Sequence, residues 1–256
     1  MQTVLLEKRE GYALITLNRP QAMNALSREL RREFVAAFEN CKEDEATRVI
    51  ILTGNGPAFC AGFDLKELGS NNSEHAAEEA DNKLARAMEA FDGPIIGAIN
   101  GHCITGGFEM ALACDVLIAS ENARFADTHA RVGMLPGWGL SQKLPRLIGL
   151  SRAREIAFTG TPVPAQQAYE WGLVNHVVPA AQLLDKAVAM AEEMCACVPH
   201  ILRQYRALIN EGYSMPLQDA LSWEEARAIE SARLASAQSI EQRRQQVLSK
   251  GRSENN

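Results

Sequence analysis

Strand-like segments that alternate with helical ones predict an α/β fold with parallel strand pairing. Three observations carry that expectation. Short, wholly apolar runs at residues 49–52, 95–99 and 116–119 read as strands buried on both faces. Segments with apolar residues at helical spacing lie between and around them. From about residue 165 the pattern becomes wholly helical.

The elements follow in order. Residues 4–8 and 13–17 read as two short strands joined at Glu10-Gly11, and Arg19-Pro20 ends the second. Ser27 is placed to cap a helix on which Leu30, Phe34, Phe38 and Cys41 share one face, with Glu29 in its first turn. The strand at 49–52 stops at Gly54-Asn55-Gly56-Pro57. Polar residues 71–79 read as a loop leading to a helix with the stripe Leu84, Ala87, Met88 and Phe91, which Asp92-Gly93-Pro94 ends. After the strand at 95–99 come a Gly-rich turn and a short helix over about 107–113. Leu183, Leu184, Ala187, Val188, Ala191 and Met194 form a later stripe that Pro199 breaks. Leu217, Ala220, Leu221 and Glu224 open another helix behind Pro216. Residues 1–199 read as a core and 200–256 as a helical appendage.

Composition narrows the function. A net charge of −6 lacks the basic footprint that non-specific nucleic-acid binding needs. No apolar run of about 18 residues offers a membrane span, and the start of the chain has no signal-like apolar core, so the cytoplasm is the expected compartment. Six scattered cysteines without a CxxC pair read as reduced thiols. His75, His176 and His200 show no ligand spacing, and no metal is expected.

Two Gly-containing turns follow buried-strand candidates: Ala58-Phe59-Cys60-Ala61-Gly62-Phe63-Asp64-Leu65, and Asn100-Gly101-His102-Cys103-Ile104-Thr105-Gly106-Gly107-Phe108-Glu109. Glycine at a strand-to-helix junction lets backbone N–H groups approach a ligand, although such a turn also serves as a plain connection. Neither turn is a dinucleotide fingerprint or a phosphate loop, and no GxSxG elbow occurs.

Further spaced elements agree with these two: Arg19-Pro20…Asn24-Ala25-Leu26, Pro94, Cys114-Asp115, Gly133…Pro136-Gly137, Leu144-Pro145-Arg146 and Trp171-Gly172-Leu173-Val174. In that order, from Arg19 to about Pro179, they resemble the signature of the crotonase (enoyl-CoA hydratase/isomerase) superfamily. The resemblance implies a spiral of repeated ββα units with a C-terminal helical region that packs between subunits of a homotrimer or homohexamer. It implies an acyl-CoA thioester as substrate, with no cofactor beyond the coenzyme A the substrate carries. The backbone N–H groups of Phe63 and Gly106 would form an oxyanion hole for the thioester carbonyl, stabilising charge that develops there. Ala22, Met23, Ala61, Asp64, Leu65 and Gly107 would contact the substrate, and Trp138 would wall the acyl pocket.

Glu109 matches one of the two catalytic glutamates of the family's hydratases. The second should lie twenty residues on, where this chain has His129. A histidine changes charge near neutral pH and can exchange protons, but a neutral imidazole adds no negative charge. Asp127 and His102 are near these residues in sequence only. The expected activity is hydration of a 2,3-enoyl-CoA. Isomerisation, decarboxylation or thioester hydrolysis in the same pocket, or a non-catalytic acyl-CoA-binding role, are the alternatives.

Overall fold

The structure is a computed structural model that describes residues 2–69, 82–234, 241, 243 and 244. The expected loop at 71–79, with His75, lies outside the described residues.

Val4–Lys8 (β1) and Tyr12–Leu17 (β2) form an antiparallel hairpin. Arg28–Glu43 (α1) follows, and Ser27 Oγ accepts the N–H of Leu30 at 3.2 Å, as its capping position requires. The buried face of α1 is Leu30, Phe34, Ala37, Phe38 and Cys41. Their spacing of three and four puts them in one stripe. Phe34 is wholly buried, and its truncation to alanine would cost about 3–5 kcal/mol.

The chain then repeats a unit. Val49–Gly54 (β3) and Ala58–Cys60 (β4) lead to Leu65–Gly69 (α2) and Lys83–Glu89 (α3). Ile95–Ile99 (β5) and His102–Ile104 (β6) lead to Gly106–Ala111 (α4). Val116–Ser120 (β7) and Arg124–Ala126 (β8) lead to His129–Val132 (α5) and then to Leu140–Ile148 (α6) and Leu150–Thr159 (α7). Val163–Pro164 (β9), Ala165–Glu170 (α8) and His176–Val178 (β10) come before Leu183–Cys195 (α9), Pro199–Gly212 (α10) and Leu217–Leu234 (α11).

Each repeat gives one strand to each of two sheets. The larger has the order β1-β2-β3-β5-β7-β10, parallel throughout except for β1. The smaller has the order β4-β6-β8-β9, parallel except for β9. This is the expected α/β spiral of ββα units. Alternation along the central strands supplies two cores. Ile50 and Leu52 of β3 join the main core with α1, whereas Val49 and Ile51 pack on the opposite face with Leu183, Ala187 and Ala191 of α9. That is why these runs are apolar at every position.

Three expectations change. Residues 58–60 and 102–104, read as parts of turns, are strands of the smaller sheet; at three residues each they are too short for a period to register. The region after residue 165 is not wholly helical, because β10 adds to β7. Leu184 is 43% exposed, so the α9 stripe is narrower than its apolar residues suggest.

The chain divides into two compact units, 1–203 and 204–256, with the division inside α10. In the second, Tyr205, Ile209, Tyr213, Leu217, Leu221 and Ile229 are exposed. Among the described residues, no helix is long and apolar enough to cross a membrane.

Candidate active site

A loop and a turn are locked together first. Arg19 Nη1 donates to Asp64 Oδ2 at 2.6 Å and to the carbonyl of Ala25 at 3.2 Å. Asn24 Oδ1 accepts the N–H of Arg19, and its Nδ2 donates to the carbonyls of Asn55, Ala58 and Phe59. Backbone bonds from Ala61 N to Met23 O (3.0 Å) and from Leu26 N to Gly62 O (2.8 Å) close the seam. Ala22, Met23 and Ala61 lie half-buried along it, and Leu65 is exposed. Asp64 is held within the protein, with one carboxylate oxygen on Arg19 and the other accepting the N–H of Lys66 at 3.0 Å. Desolvation alone would raise its pKa, but the bond from Arg19 and the backbone N–H groups outweigh it and hold the carboxyl below its ordinary range.

The two Gly-containing turns meet. Gly62 has φ +85°, and a Cβ there would lie 3.1 Å from Ile104 O and 3.2 Å from Gly106 N. Only glycine satisfies both the backbone angle and the approach. Gly107 is turned away from this junction, since its Cβ would lie 2.2 Å from Cys60 O. It serves the close packing of α4 on β4. Among the described residues, the N–H groups of Phe63 and Gly106 donate to no protein acceptor.

Thr105, just before Gly106, has φ 54° and ψ −110°. A β-branched residue rarely adopts such a backbone, and the conformation costs on the order of 1–3 kcal/mol. Its surroundings impose it. The Thr105 N–H donates to Ala126 O at 2.8 Å, and its carbonyl accepts the N–H of Glu109 at 2.9 Å. Its Oγ1 accepts the N–H of Thr128 at 3.0 Å and hydrogen-bonds Thr128 Oγ1 at 2.6 Å.

Glu109 lies in α4, buried at 2% exposure. Its Oε1 accepts the N–H of Trp138 at 2.7 Å and that of Leu140 at 3.4 Å. Burial pushes the Glu109 carboxyl above the ordinary carboxylate range, and the Trp138 N–H and His129 offset only part of that. His129, also buried, brings Nε2 to 3.7 Å from Glu109 Oε2. Its other ring nitrogen, Nδ1, lies 2.7 Å from Asp127 Oδ1, which also accepts the His129 backbone N–H at 3.0 Å. A proton on Nδ1 is the arrangement a carboxylate partner favours, and it leaves Nε2 facing Glu109.

Asp127 therefore stands in the site, not merely near it in sequence. It supplies the negative charge that an imidazole lacks. The readable signal was the Asp-x-His spacing at the start of a helix, where an aspartate accepts the N–H two residues on. His102, by contrast, is exposed on β6 and takes no part. The Trp138 ring packs against Phe63 with centroids 5.2 Å apart and lies 3.6 Å from where a Gly106 Cβ would be, so it walls both amides. Its backbone N–H on Glu109 is a second role that no side-chain reading suggests.

A cavity of about 340 Å³ begins at Asp127 and His129 and runs between apolar walls that include Met134, Leu135, Leu144 and Phe158. The thiols of Cys60 and Cys103 lie beneath the two turns, fully buried. Burial pushes Cys60 up to about 12 and Cys103 well above the usual thiol range, so neither is a nucleophile at neutral pH. Among the described residues, no group of three or more His, Cys, Asp or Glu side chains is arranged to hold a metal ion.

Comparison with known proteins agrees with this geometry. The family model described as enoyl-CoA hydratase/isomerase matches residues 7–247. The chain is 43% identical over 218 residues to the probable peroxisomal enoyl-CoA hydratase 1 of Arabidopsis thaliana, covering 85% of this chain and 82% of that protein. It is 34% identical over 227 residues to the short-chain-enoyl-CoA hydratase of Clostridium acetobutylicum, covering 88% and 87%. The crystal structure of an enoyl-CoA hydratase from Bacillus anthracis superposes with a TM-score of 0.87 at 37% identity, covering 93% of each chain.

Proposed function

The chain belongs to the enoyl-CoA hydratase/isomerase family, and on that premise we propose that it adds water across the 2,3-double bond of an enoyl-CoA thioester. The observation that carries the reading is the chain of contacts Asp127–His129–Glu109, with Glu109 bonded to the N–H of the same Trp138 whose ring packs against Phe63 and Gly106. Glu109 Oε2 and His129 Nε2 lie 3.7 Å apart, so both can reach one water oxygen at about 2.8 Å each. Glu109 takes a proton from that water as its oxygen bonds to C3. The electron pair of the double bond moves onto the thioester oxygen, which the two N–H groups hold. C2 then receives a proton from His129 Nε2, while Asp127 keeps the other ring nitrogen protonated and balances the imidazolium charge. Afterwards the proton on Glu109 returns to His129 Nε2, which resets both groups. The raised pKa of Glu109 suits a group that must hold a proton between steps.

Ala22, Met23, Ala61 and Leu65 border the seam along which the coenzyme A arm lies in this reading, and Trp138 sets the shape of the acyl pocket. No cofactor is required. The free thiols fit the cytoplasm. The exposed apolar residues of α10 and α11 support assembly into a trimer or hexamer, and sedimentation of the full chain as a monomer at micromolar concentration would refute that. The reaction itself is tested by incubating the protein with a panel of 2,3-enoyl-CoAs and identifying products by mass. A gain of one water on at least one of them is expected. Binding of every thioester without turnover would leave a binding protein instead of an enzyme.

A further inference from the structure

We infer that Thr105 and Thr128 are positioning residues: their hydroxyl pair sets the direction of the Gly106 N–H and its distance from His129. The inference rests on the reading of the Gly106 amide as an oxyanion donor and adds the device that aims it. The amide plane between Thr105 and Gly106 is oriented by the ψ of Thr105, which is −110° with a φ of 54°. That combination belongs to the first central position of a type II′ turn, where glycine is the usual residue. A threonine there relaxes toward negative φ unless something holds it.

The holding contacts run in one direction. Thr105 N–H is fixed to Ala126 O, and Thr105 Oγ1 bonds both the N–H and the hydroxyl of Thr128. Ala126 and Thr128 flank Asp127, and Thr128 precedes His129. The residue in front of one oxyanion donor is therefore tied to the segment that carries Asp127 and His129. The Thr105 carbonyl also accepts the N–H of Glu109, so all three chemical groups meet at this residue. Each hydroxyl is matched to the other: a serine could make the same bonds, whereas valine or alanine could not.

A different role would suffice if the pair only stabilised the fold, and glycine separates the two. Thr105→Gly adopts φ 54° without strain, and that relief offsets part of the two hydrogen bonds and the unfolded-state freedom it costs, so the chain folds with a thermal midpoint at or modestly below the native one. It loses the tie, however, and the Gly106 amide becomes free to rotate. In crotonyl-CoA hydration, Thr105→Gly and Thr128→Val should each lower kcat about 10- to 100-fold with KM within about twofold, because a small misalignment of a reacting group costs that much. The double variant should be no worse than Thr105→Gly, since the bond that Thr128→Val removes is one of the two that Thr105→Gly already loses. Thr105→Ser should recover most of the loss. A second readout is the ultraviolet enolate band of bound acetoacetyl-CoA, whose enolate oxygen reports on the hole whatever reaction the site performs. The band should weaken in Thr105→Gly and return in Thr105→Ser. Native kcat and a native band in Thr105→Gly would overturn the inference, as would losses that follow the thermal midpoint. If the unaltered protein hydrates no enoyl-CoA yet its enolate band responds to these variants, the reaction assignment fails and the tie stands.

Discussion

Replacing Asp127 by asparagine preserves the shape at that position and removes one charge. Asp127 Oδ1 accepts two N–H groups from His129, the backbone one at 3.0 Å and the ring one at 2.7 Å. An asparagine carbonyl can still accept the backbone N–H, so the start of α5 should survive. In the protonated ring that the proposed step uses, the ring bond changes in kind, from one accepted by a carboxylate to one accepted by a neutral amide. A hydrogen bond to a charged group contributes about 1.5–3 kcal/mol, against about 0.5–1.5 kcal/mol for a neutral one. The difference, about 1–2 kcal/mol, converts at about 1.36 kcal/mol per decade to a loss of roughly 5- to 30-fold in kcat. The assay is steady-state hydration of crotonyl-CoA, followed by loss of enoyl absorbance. The decisive comparison repeats the substitution in a His129→Gln background, where there is no imidazolium to balance. There Asp127→Asn should change little. Equal losses in the two backgrounds, or no loss in the native one, would refute the assignment of Asp127 as the partner that sets the charge and tautomer of His129.

Three further outcomes follow from the same contacts. Glu109→Gln should lower kcat by about 10²–10⁴-fold in the same assay. It should also show a pH-dependent gain in stability. Burial raises the Glu109 pKa, so ionising it costs the fold nothing below the unfolded value of about 4.3 and progressively more as pH rises through the raised value. Thermal midpoints of variant and native protein should thus converge near pH 4 and separate in the variant's favour near pH 8. His129→Glu alone puts a third carboxylate beside Asp127 and Glu109, and hydration should fall; adding Asp127→Asn relieves the repulsion and should recover activity, as initial rates would show. Arg19→Gln leaves Asp64 buried without its cation and should destabilise by about 1.5–3 kcal/mol in urea unfolding. Because the Asp64 pKa is lowered in the fold, that stabilisation is present above about pH 4 and is lost as pH falls through the lowered value, so the gap between the two proteins should narrow in acid.

The central strands β3, β5 and β7 of the large sheet were legible in the sequence because they are five or six residues long and apolar on both faces, whereas β10, at three residues, was not. Ile50 and Leu52 look one way, Val49 and Ile51 the other, and no polar position interrupts the run. The small sheet was not legible. A strand such as Ala58–Cys60 is one residue longer than its own alternation, and its partner Cys103 is forty-three positions away. What fixes it is tertiary: Asn24 and Asn100 both reach the carbonyl of Ala58 from other parts of the chain. Glu109 and His129 were found through their place in an ordered set of motifs. Asp127 was missed because its partner is defined by a ring nitrogen's direction, which spacing alone does not give. Thr105 was invisible for another reason. Its importance lies in a backbone angle that its side-chain type argues against, and such angles are set by neighbours, not by propensity.

The two thiols under the turns offer a way to watch this region open. Cys60 Sγ accepts the Gly62 N–H at 3.4 Å, and Cys103 Sγ reaches the Gly107 carbonyl at 3.4 Å, so each sulfur sits directly behind one half of the junction. Sealed there and held as thiols, they cannot meet an alkylating reagent while the repeats stay stacked. Cys197 is exposed and supplies a reference label that needs no opening of the fold. The delay between that label and the appearance of label on Cys60 or Cys103, followed by mass over time, measures how often the spiral parts at this level. A bound thioester that grips both turns should lengthen the delay by a factor of one plus the ratio of free ligand concentration to Kd, which makes native sulfur a built-in gauge of ligand binding without any added probe.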